Sequence, residues 1–256
     1  MDPHEARELA RRAALTGGAV VLGARIGSVE MKEGPGNYVT DVDRAAEEAV
    51  REALAPAGIP VVGEELGGEI SGRYWLVDPI DGTVNFMHGF PVVGVSVALV
   101  EEGRPVAGCV HAPYLGTTWS AARGLGAEQD GGPIRVTGAS PSEAVVGTGF
   151  PFRHPERRQE YLRAMLPAME RFEDLRRPGA VSLDLAWVAS GAYDGFFELG
   201  LSPWDVAAGV VLIEEAGGVI TDWSGGLDVL SGDVLAGGPE VHAALLELAQ
   251  PPQARS

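Results

Sequence analysis

The sequence predicts a mixed α/β protein in which helices pack on β-sheets. In the first half, two helical apolar patterns precede five short β-like runs, several of them separated by turn residues such as Glu102-Gly103. From about Ala139 onward, strand-like and helical segments alternate, which is typical of a second α/β layer. We therefore expect two halves, 1–138 and 139–256, that meet without a flexible linker.

The first half is predicted to hold two helices on a largely antiparallel sheet. The first helix runs from about Glu5 to Val21, and the second begins at a cap at Asp43 and ends near Leu54, after a loop at Lys32–Asn37. The β-like runs are Ile59–Val62, Tyr74–Val77, Val92–Val100, Val106–His111 and Thr117–Ala121. Because a proline biases the residue before it toward an extended backbone, the second run is expected to end at about Asp78.

The second half is predicted to alternate strands and helices. The strand candidates are AVVGTGF, Gly195–Leu199 and VIT. The helix candidates are Pro155–Phe172, Leu183–Ser190, Pro203–Ala216 and Pro239–Leu248.

The composition narrows the classes of partner. The net charge is −17, which makes nucleic acid an improbable ligand because affinity for phosphates comes largely from Lys and Arg. Apolar runs are far shorter than the roughly 20 residues that span a bilayer, so no membrane role is expected. The chain opens on a mixed-charge helical pattern rather than a leader. Together with the single Cys109, this predicts a cytoplasmic protein without an internal disulfide.

The stretch Trp75–Phe86, WLVDPIDGTVNF, places two aspartates around a proline. Asp, Pro and Gly are turn-forming residues, so a simple turn is one interpretation. The other is a divalent metal site, because two carboxylates about 4 Å apart repel by roughly 4 kcal/mol at an effective dielectric of 20. Oxygen ligands of this kind suit Mg²⁺ or Mn²⁺.

Three further acidic motifs each have a structural alternative. Glu64 and Glu65 follow a β-like run and are also typical of solvated surface charge. Asp205 has the spacing of a capping box with Ser202. Asp43 is a natural helix cap, or else a hydrogen-bond partner of Thr83.

Taken in order, GEE at 63–65, the stretch Trp75–Phe86 and WDVAAGVVLIEEAGG at 204–218 resemble the inositol monophosphatase family of metal-dependent, lithium-sensitive phosphatases. The resemblance extends from Lys32 to Gly218 and implies a layered α-β-α-β-α sandwich, the fold of inositol monophosphatase and fructose-1,6-bisphosphatase. It also implies a homodimer that hydrolyses inositol 1-phosphate, a small phosphorylated polyol. The implied reaction is in-line attack of a metal-activated water, with two or three Mg²⁺ ions, or Mn²⁺.

The resemblance implies metal ligands and catalytic residues. Glu64, Asp78 and the Ile80 carbonyl match the ligands of a first metal. Asp78, Asp81 and Asp205 match those of a second, and Glu64 would also help to hold a third. Thr83 and Asp43 match the pair that orients and helps to deprotonate the attacking water.

The resemblance also implies substrate contacts. The residues matched to substrate binding are Gly82, Thr83, Gly179, Ala180 and Glu198, and those matched to positions around the metals are Lys32 and Glu65. Val84 and Val181 depart from the family's usual residues, and the second of these leaves the fine substrate preference open.

Alternative functions stay open at this point. Related branches act on fructose 1,6-bisphosphate, histidinol phosphate or nucleotide phosphates, and for a bisphosphate Arg176 and Arg177 are candidates for a second basic pocket. Bacterial members of the family also act as binding partners of the transcription machinery.

Overall fold

The predicted helices and strands are present in the predicted order, and the structure adds six short strands that the sequence analysis did not predict. The computed structural model describes residues 1–32 and 38–250; residues 33–37 of the predicted loop lie outside this part. The described helices are α1 Pro3–Gly23, α2 Asp41–Leu54, α3 Thr83–Met87, α4 Arg158–Arg171, α5 Val181–Ser190, α6 Pro203–Glu215 and α7 Pro239–Ala249. The described strands are β1 Val29–Met31, β2 Tyr38–Thr40, β3 Val61–Gly63, β4 Arg73–Asp81, β5 Gly94–Glu101, β6 Arg104–Ala112, β7 Thr117–Ala122, β8 Ala127–Gln129, β9 Gly132–Pro133, β10 Val145–Thr148, β11 Asp174–Arg176, β12 Gly195–Glu198, β13 Val219–Thr221 and β14 Val234–Gly237.

Two large sheets form the centre of the fold. The larger has the strand order β3-β4-β5-β6-β7-β8-β9 and is antiparallel except for the pair β3 and β4. The smaller has the order β11-β10-β12-β14-β13, with β10 parallel to both of its neighbours. The expectation of a largely antiparallel first sheet is confirmed.

The side chains of the large sheet alternate between two cores, as the pleat of a strand requires. On one face, Trp75 and Cys109 pack with residues of α1 and α2, such as Ala10 and Val50. On the other face, Leu76 packs with residues of α5 and α6. Because α6 lies between the two sheets, its residues 206–213 are all buried, and this stretch is apolar on every side of the helix.

A third core covers the outer face of the small sheet, where Phe197 and Leu235 contact α4 and α7. The layers therefore run α1 and α2, large sheet, α5 and α6, small sheet, α4 and α7. This is the α-β-α-β-α sandwich that the resemblance implies. The division near residue 138 stays a prediction. None of the described helices has the length and apolar character needed to cross a bilayer.

Two predicted helix starts are wrong. The cap of α2 is Thr40, whose backbone N–H donates to the carboxylate of Asp43 at 2.8 Å, so Asp43 is the third helical residue of a reciprocal capping box. The segment Pro155–Arg157 forms a 3₁₀ turn, and α4 begins only at Arg158. At α2, Thr40 and Asp43 can both cap a helix, and at α4, Pro155 suits the first turn of a 3₁₀ helix as well as that of an α-helix, so the local pattern does not settle either start.

Candidate active site

A β-bulge brings the two aspartates of DPIDGT to one point. The strand does not end at Asp78 as the sequence suggests, because β4 continues to Asp81 and its pairing with β5 shifts between these residues. In a regular strand, side chains three residues apart would point to opposite faces. The bulge at Pro79 and Ile80 removes that alternation, so both carboxylates face the same cavity.

Glu64 and Asp205 reach the same cavity from elsewhere in the fold. Glu64 follows β3, and its N–H donates to the carbonyl of Val77 on β4 at 3.1 Å. Asp205 lies in the first turn of α6, where one of its carboxylate oxygens accepts the N–H of Ser202 at 2.8 Å. This capping hydrogen bond uses only one of the two carboxylate oxygens of Asp205. The residue can therefore cap the helix and also bind a metal through its other oxygen. Each of Asp78, Asp81 and Asp205 offers an oxygen within 4.8 Å of the others.

The electrostatics of this cluster favour a bound cation. Burial raises the pKa of Asp78 well above its usual range, and the charges of Glu64, Asp81 and Asp205 raise it further. Burial likewise raises the pKa of Asp205 to about 7, with Asp81 and Glu64 adding to the effect. For Asp81, burial raises the pKa to about 6, against hydrogen bonds from Ser182 that lower it. Converging buried carboxylates that repel one another are the donor set that Mg²⁺ or Mn²⁺ requires, so the residues fit such ions.

Thr83 and Asp43 lie next to each other at the edge of the cluster. The hydroxyl of Thr83 is 3.2 Å from Oδ1 of Asp43 and 3.1 Å from the carbonyl oxygen of Ile80. Thr83 lines the cavity, whereas Asp43 is buried behind it. Gly82 directly precedes Thr83 with φ of +89°, and a Cβ at this glycine would lie 2.9 Å from the carbonyl of Val92. This backbone conformation and this close approach require glycine.

Lys32 and Glu65 lie at the outer side of Glu64. The ammonium of Lys32 is 3.1 Å from Oε1 of Glu64 and 2.5 Å from Oε1 of Glu65. Burial raises the pKa of Glu65 to about 7, although Lys32 acts against it. Glu47, on α2, accepts the N–H of Glu65 at 2.8 Å and also binds Arg51. Glu47 thus anchors the segment that presents Glu64, a role that the sequence analysis missed.

The other predicted substrate residues, Gly179, Ala180 and Glu198, lie at the same cavity or directly beside it. Gly179, with φ of +87°, and Val181 line it, while Ala180 is buried against Gly82. Glu198 also lines it, and burial raises its pKa to about 8. Its carboxylate lies directly against Gly149, where a Cβ would come within 1.9 Å of Oε1.

Two positioning residues were not found from the sequence. Ser182, at the start of α5, donates both its N–H and its hydroxyl to Oδ2 of Asp81 at 2.6 Å. Asn85, in α3, donates its side-chain amide to the carbonyls of Val92 at 2.8 Å and Pro178 at 2.9 Å. Both join the aspartate motif to the segment around Gly179. No local pattern marks them, because their partners are distant in the chain.

Two histidines and the cysteine take no part in the carboxylate cluster. His88 lies on the rim of the cavity. His111 is buried, with Nδ1 2.9 Å from the hydroxyl of Thr118. Cys109 is buried in β6.

Comparisons with known proteins decide the family. A sequence model of the inositol monophosphatase family matches residues 2–253. This chain belongs to the inositol monophosphatase family. It is therefore a phosphoric monoester hydrolase by family.

Individual relatives align with most of this chain. It is 41% identical over 227 residues to the inositol-1-monophosphatase of Mesorhizobium japonicum, which covers 86% of this chain and 85% of that protein. It is 40% identical over 257 residues to the Nus factor SuhB of Pseudomonas aeruginosa, with 95% of each chain covered. The crystal structure of the extragenic suppressor protein suhB from Bartonella henselae superposes with a TM-score of 0.90 at 33% identity, covering 96% of this chain and 98% of that one.

Proposed function

We propose that this protein is a Mg²⁺-dependent inositol-1-monophosphatase. The observation that carries the proposal is the convergence of Asp78, Asp81 and Asp205, whose oxygens lie within 4.8 Å of one another although the residues come from β4 and from α6. Glu64 and Ile80 line the same cavity, and the Glu64 carboxylate and the Ile80 carbonyl would complete the proposed ligand set. We expect two or three ions, with Mn²⁺ as a substitute.

Bound Mg²⁺ would neutralise the phosphate, stabilise the leaving alkoxide and lower the pKa of a water molecule. The carboxylates of this site supply the opposite charge that holds the ions. A chain of net charge −17 can in this way accept an anionic substrate.

Thr83 and Asp43 are proposed to orient the attacking water. The Thr83 hydroxyl lies within hydrogen-bond distance of Asp43 and of the Ile80 carbonyl, both of which accept hydrogen bonds. With its own hydrogen donated to one of these acceptors, the hydroxyl oxygen offers a lone pair to a hydrogen of the water. Asp43, whose pKa is raised by burial, lies where it can receive the proton through Thr83.

The other predicted residues are proposed to hold the substrate. The N–H groups of Gly82 and Thr83 would bind phosphate oxygens, and Glu198 would bind ring hydroxyls. The backbone of Gly179 and Ala180 would lie beside the ring. Lys32, through its contacts with Glu64 and Glu65, would balance charge at the outer side of the metals.

The direct test is hydrolysis of inositol 1-phosphate with and without Mg²⁺. We expect turnover to require the metal and Asp81→Asn to lower it by about 100-fold or more, because one ligand charge of a metal site is worth several kcal/mol. Asp174→Asn is the matched control, because Asp174 is exposed and binds Arg176 away from the cavity. Metal-independent turnover, or near-normal turnover by Asp81→Asn, would refute the proposed metal site.

A panel of phosphate esters separates the alternatives. Comparing kcat/KM for inositol 1-phosphate, fructose 1,6-bisphosphate, histidinol phosphate and nucleotide phosphates identifies the preferred substrate. A pull-down with purified RNA polymerase tests the alternative of a binding partner of the transcription machinery, and catalytically dead Asp81→Asn shows whether binding is separate from turnover. The homodimer, the lithium sensitivity and the cytoplasmic location stay predictions.

A further inference from the structure

Glu198 is held in the cavity by its backbone rather than by its carboxylate. Within the described ranges 1–32 and 38–250, no hydrogen-bond donor reaches the carboxylate, which lies against Gly149. A side chain without a donor takes its direction from the backbone that carries it. The contacts that fix residues 198–201, all of which line the cavity, therefore decide where the carboxylate points.

The backbone of this 198–201 segment is held at both ends. The indole N–H of Trp223 donates to the carbonyl of Glu198 at 3.0 Å and to that of Val234 at 3.2 Å. At the other end, the N–H of Leu201 donates to the carbonyl of Gly232 at 2.8 Å. Gly232 has φ of +98°, and a Cβ there would collide with the carbonyl of Leu201. The close approach of the two segments therefore requires glycine at this position.

Asp233 holds the middle of the 198–201 segment. Its Oδ1 accepts the N–H of Gly200 at 3.0 Å. The guanidinium of Arg157 donates to both oxygens of the same carboxylate, at 2.5 Å to Oδ1 and 2.7 Å to Oδ2, and such a bidentate pair fixes the carboxylate in one plane. Only 25% of the Arg157 side chain and 26% of the Asp233 side chain are exposed. Arg157 thus fixes Asp233, and Asp233 fixes the backbone two residues after Glu198.

This ion pair lies behind the wall of the cavity. Neither Arg157 nor Asp233 belongs to the residues that line the cavity, so a bound substrate would contact neither of them. Asp205 follows the same segment but is held separately, because its carboxylate accepts the N–H of Ser202 and it lies in the first turn of α6. Loss of the ion pair should therefore move Glu198 and leave this metal ligand in place.

We propose that Asp233, held by Arg157, is a positioning residue that lowers KM for a polyol phosphate by fixing the backbone that carries Glu198. The inference rests on the proposed function, in which Glu198 binds the ring hydroxyls of inositol 1-phosphate. A misplacement of about 1 Å in a binding group can cost up to about 100-fold. The expected loss is smaller here, because Trp223 and the pairing of β12 with β14 still hold Glu198.

The test replaces Asp233 and compares two phosphate esters, of which only one has polyol hydroxyls. Asp233→Ala removes the acceptor of the Gly200 N–H and should raise KM for inositol 1-phosphate about five- to tenfold, the usual effect of one lost hydrogen bond. KM for p-nitrophenyl phosphate should stay within about twofold, because this ester has no hydroxyls for Glu198 to bind. Asp233→Asn keeps one acceptor oxygen and should raise KM for inositol 1-phosphate only about two- to threefold.

Two variants of the neighbouring groups complete the comparison. Arg157→Gln releases Asp233 without removing a contact of the 198–201 segment itself, and it should raise KM for inositol 1-phosphate in the same direction. This variant and Asp233→Asn carry the test if Asp233→Ala does not fold. Glu160→Gln is the matched control, because it removes the other carboxylate bound by Arg157 and should leave KM unchanged.

Calorimetric titration with Mg²⁺ gives a readout that a general loss of structure would change. The Kd for Mg²⁺ should be equal in the wild type and Asp233→Ala, because the metal ligands stay in place. An unchanged KM for inositol 1-phosphate, an equal rise in KM for both esters, or weaker Mg²⁺ binding overturns the inference while the phosphatase stands.

Failure of the proposed function has a different signature. If the wild type does not hydrolyse inositol 1-phosphate in Mg²⁺, that function fails, and crystal structures of the wild type and Asp233→Ala then test the positioning role alone. We expect the Glu198 carboxylate to move by about 1 Å in the variant, the scale of displacement that matters for a binding group. A Glu198 carboxylate in the same place in both structures overturns the inference.

Discussion

Replacing Asp205 with asparagine should stabilise the metal-free protein while it destroys the enzyme. The change removes one negative charge from the carboxylate cluster and preserves the size of the side chain. The amide oxygen of asparagine can still accept the N–H of Ser202, which now donates to Asp205 at 2.8 Å. The helix cap is thus retained, and the charge is what changes.

The expected gain follows from the pKa of Asp205. Burial, with the charges of Asp81 and Glu64, raises this pKa from 3.8 to about 7. The folded state therefore holds the proton more tightly than the unfolded state, so the free energy of unfolding decreases as the pH rises from about 4 to about 7. At about 1.4 kcal/mol per pH unit, the difference between 7 and 3.8 corresponds to about 4 kcal/mol at pH 8. Because neighbouring carboxylates share the protons, we expect the asparagine variant to recover about 1–3 kcal/mol.

Urea unfolding measures this effect. In EDTA at pH 8, Asp205→Asn should exceed the wild type by about 1–3 kcal/mol. The difference should nearly disappear at pH 4, close to the ordinary pKa of 3.8, because near and below that value the carboxyl takes up the proton in the unfolded state as well as in the folded state. With Mg²⁺ at pH 8 the order should reverse, because only the wild type binds the ion tightly and is stabilised by it. Asp174→Asn should match the wild type throughout. A variant that is less stable than the wild type in EDTA at both pH values would refute the reasoning.

Three further changes test individual parts of the site. Thr83→Ala should lower kcat about 100-fold, the usual contribution of a positioned proton acceptor, while Thr83→Ser retains most activity; equal loss in both would show that the hydroxyl is not the active group. Gly149→Ala places a Cβ where Glu198 now lies and should raise KM for inositol 1-phosphate about tenfold without affecting p-nitrophenyl phosphate, which has no polyol hydroxyls. An equal effect on both substrates would argue against the role given to Glu198. Glu47→Gln should weaken Mg²⁺ binding in calorimetric titration and lower stability by about 1–3 kcal/mol, and an unchanged metal affinity would separate Glu47 from the position of Glu64.

Elements with strong local signals could be predicted from the sequence. The start of α6 follows from Ser202 and Pro203, which favour the first positions of a helix. By contrast, Thr40 and Asp43 both resemble caps, and only the reciprocal hydrogen bonds in the folded chain show that Thr40 is the cap. Local propensity thus finds a helix more reliably than its first residue.

The geometry of the site depends on contacts between distant residues, which a local pattern does not contain. The bulge between Asp78 and Asp81 exists because β4 pairs with β5 in a shifted register. Ser182 is 101 residues from Asp81 and reaches it only because α5 packs beside the large sheet. The motifs identify the metal-ligand candidates, whereas their supporting residues emerge only from the fold.

The most direct measurement is anomalous diffraction from crystals soaked in Mn²⁺. The account predicts anomalous peaks within about 2.5 Å of carboxylate oxygens of Asp78, Asp81 and Asp205, with Glu64 at a neighbouring peak. Well-ordered carboxylates at this point without any anomalous peak between them would contradict it.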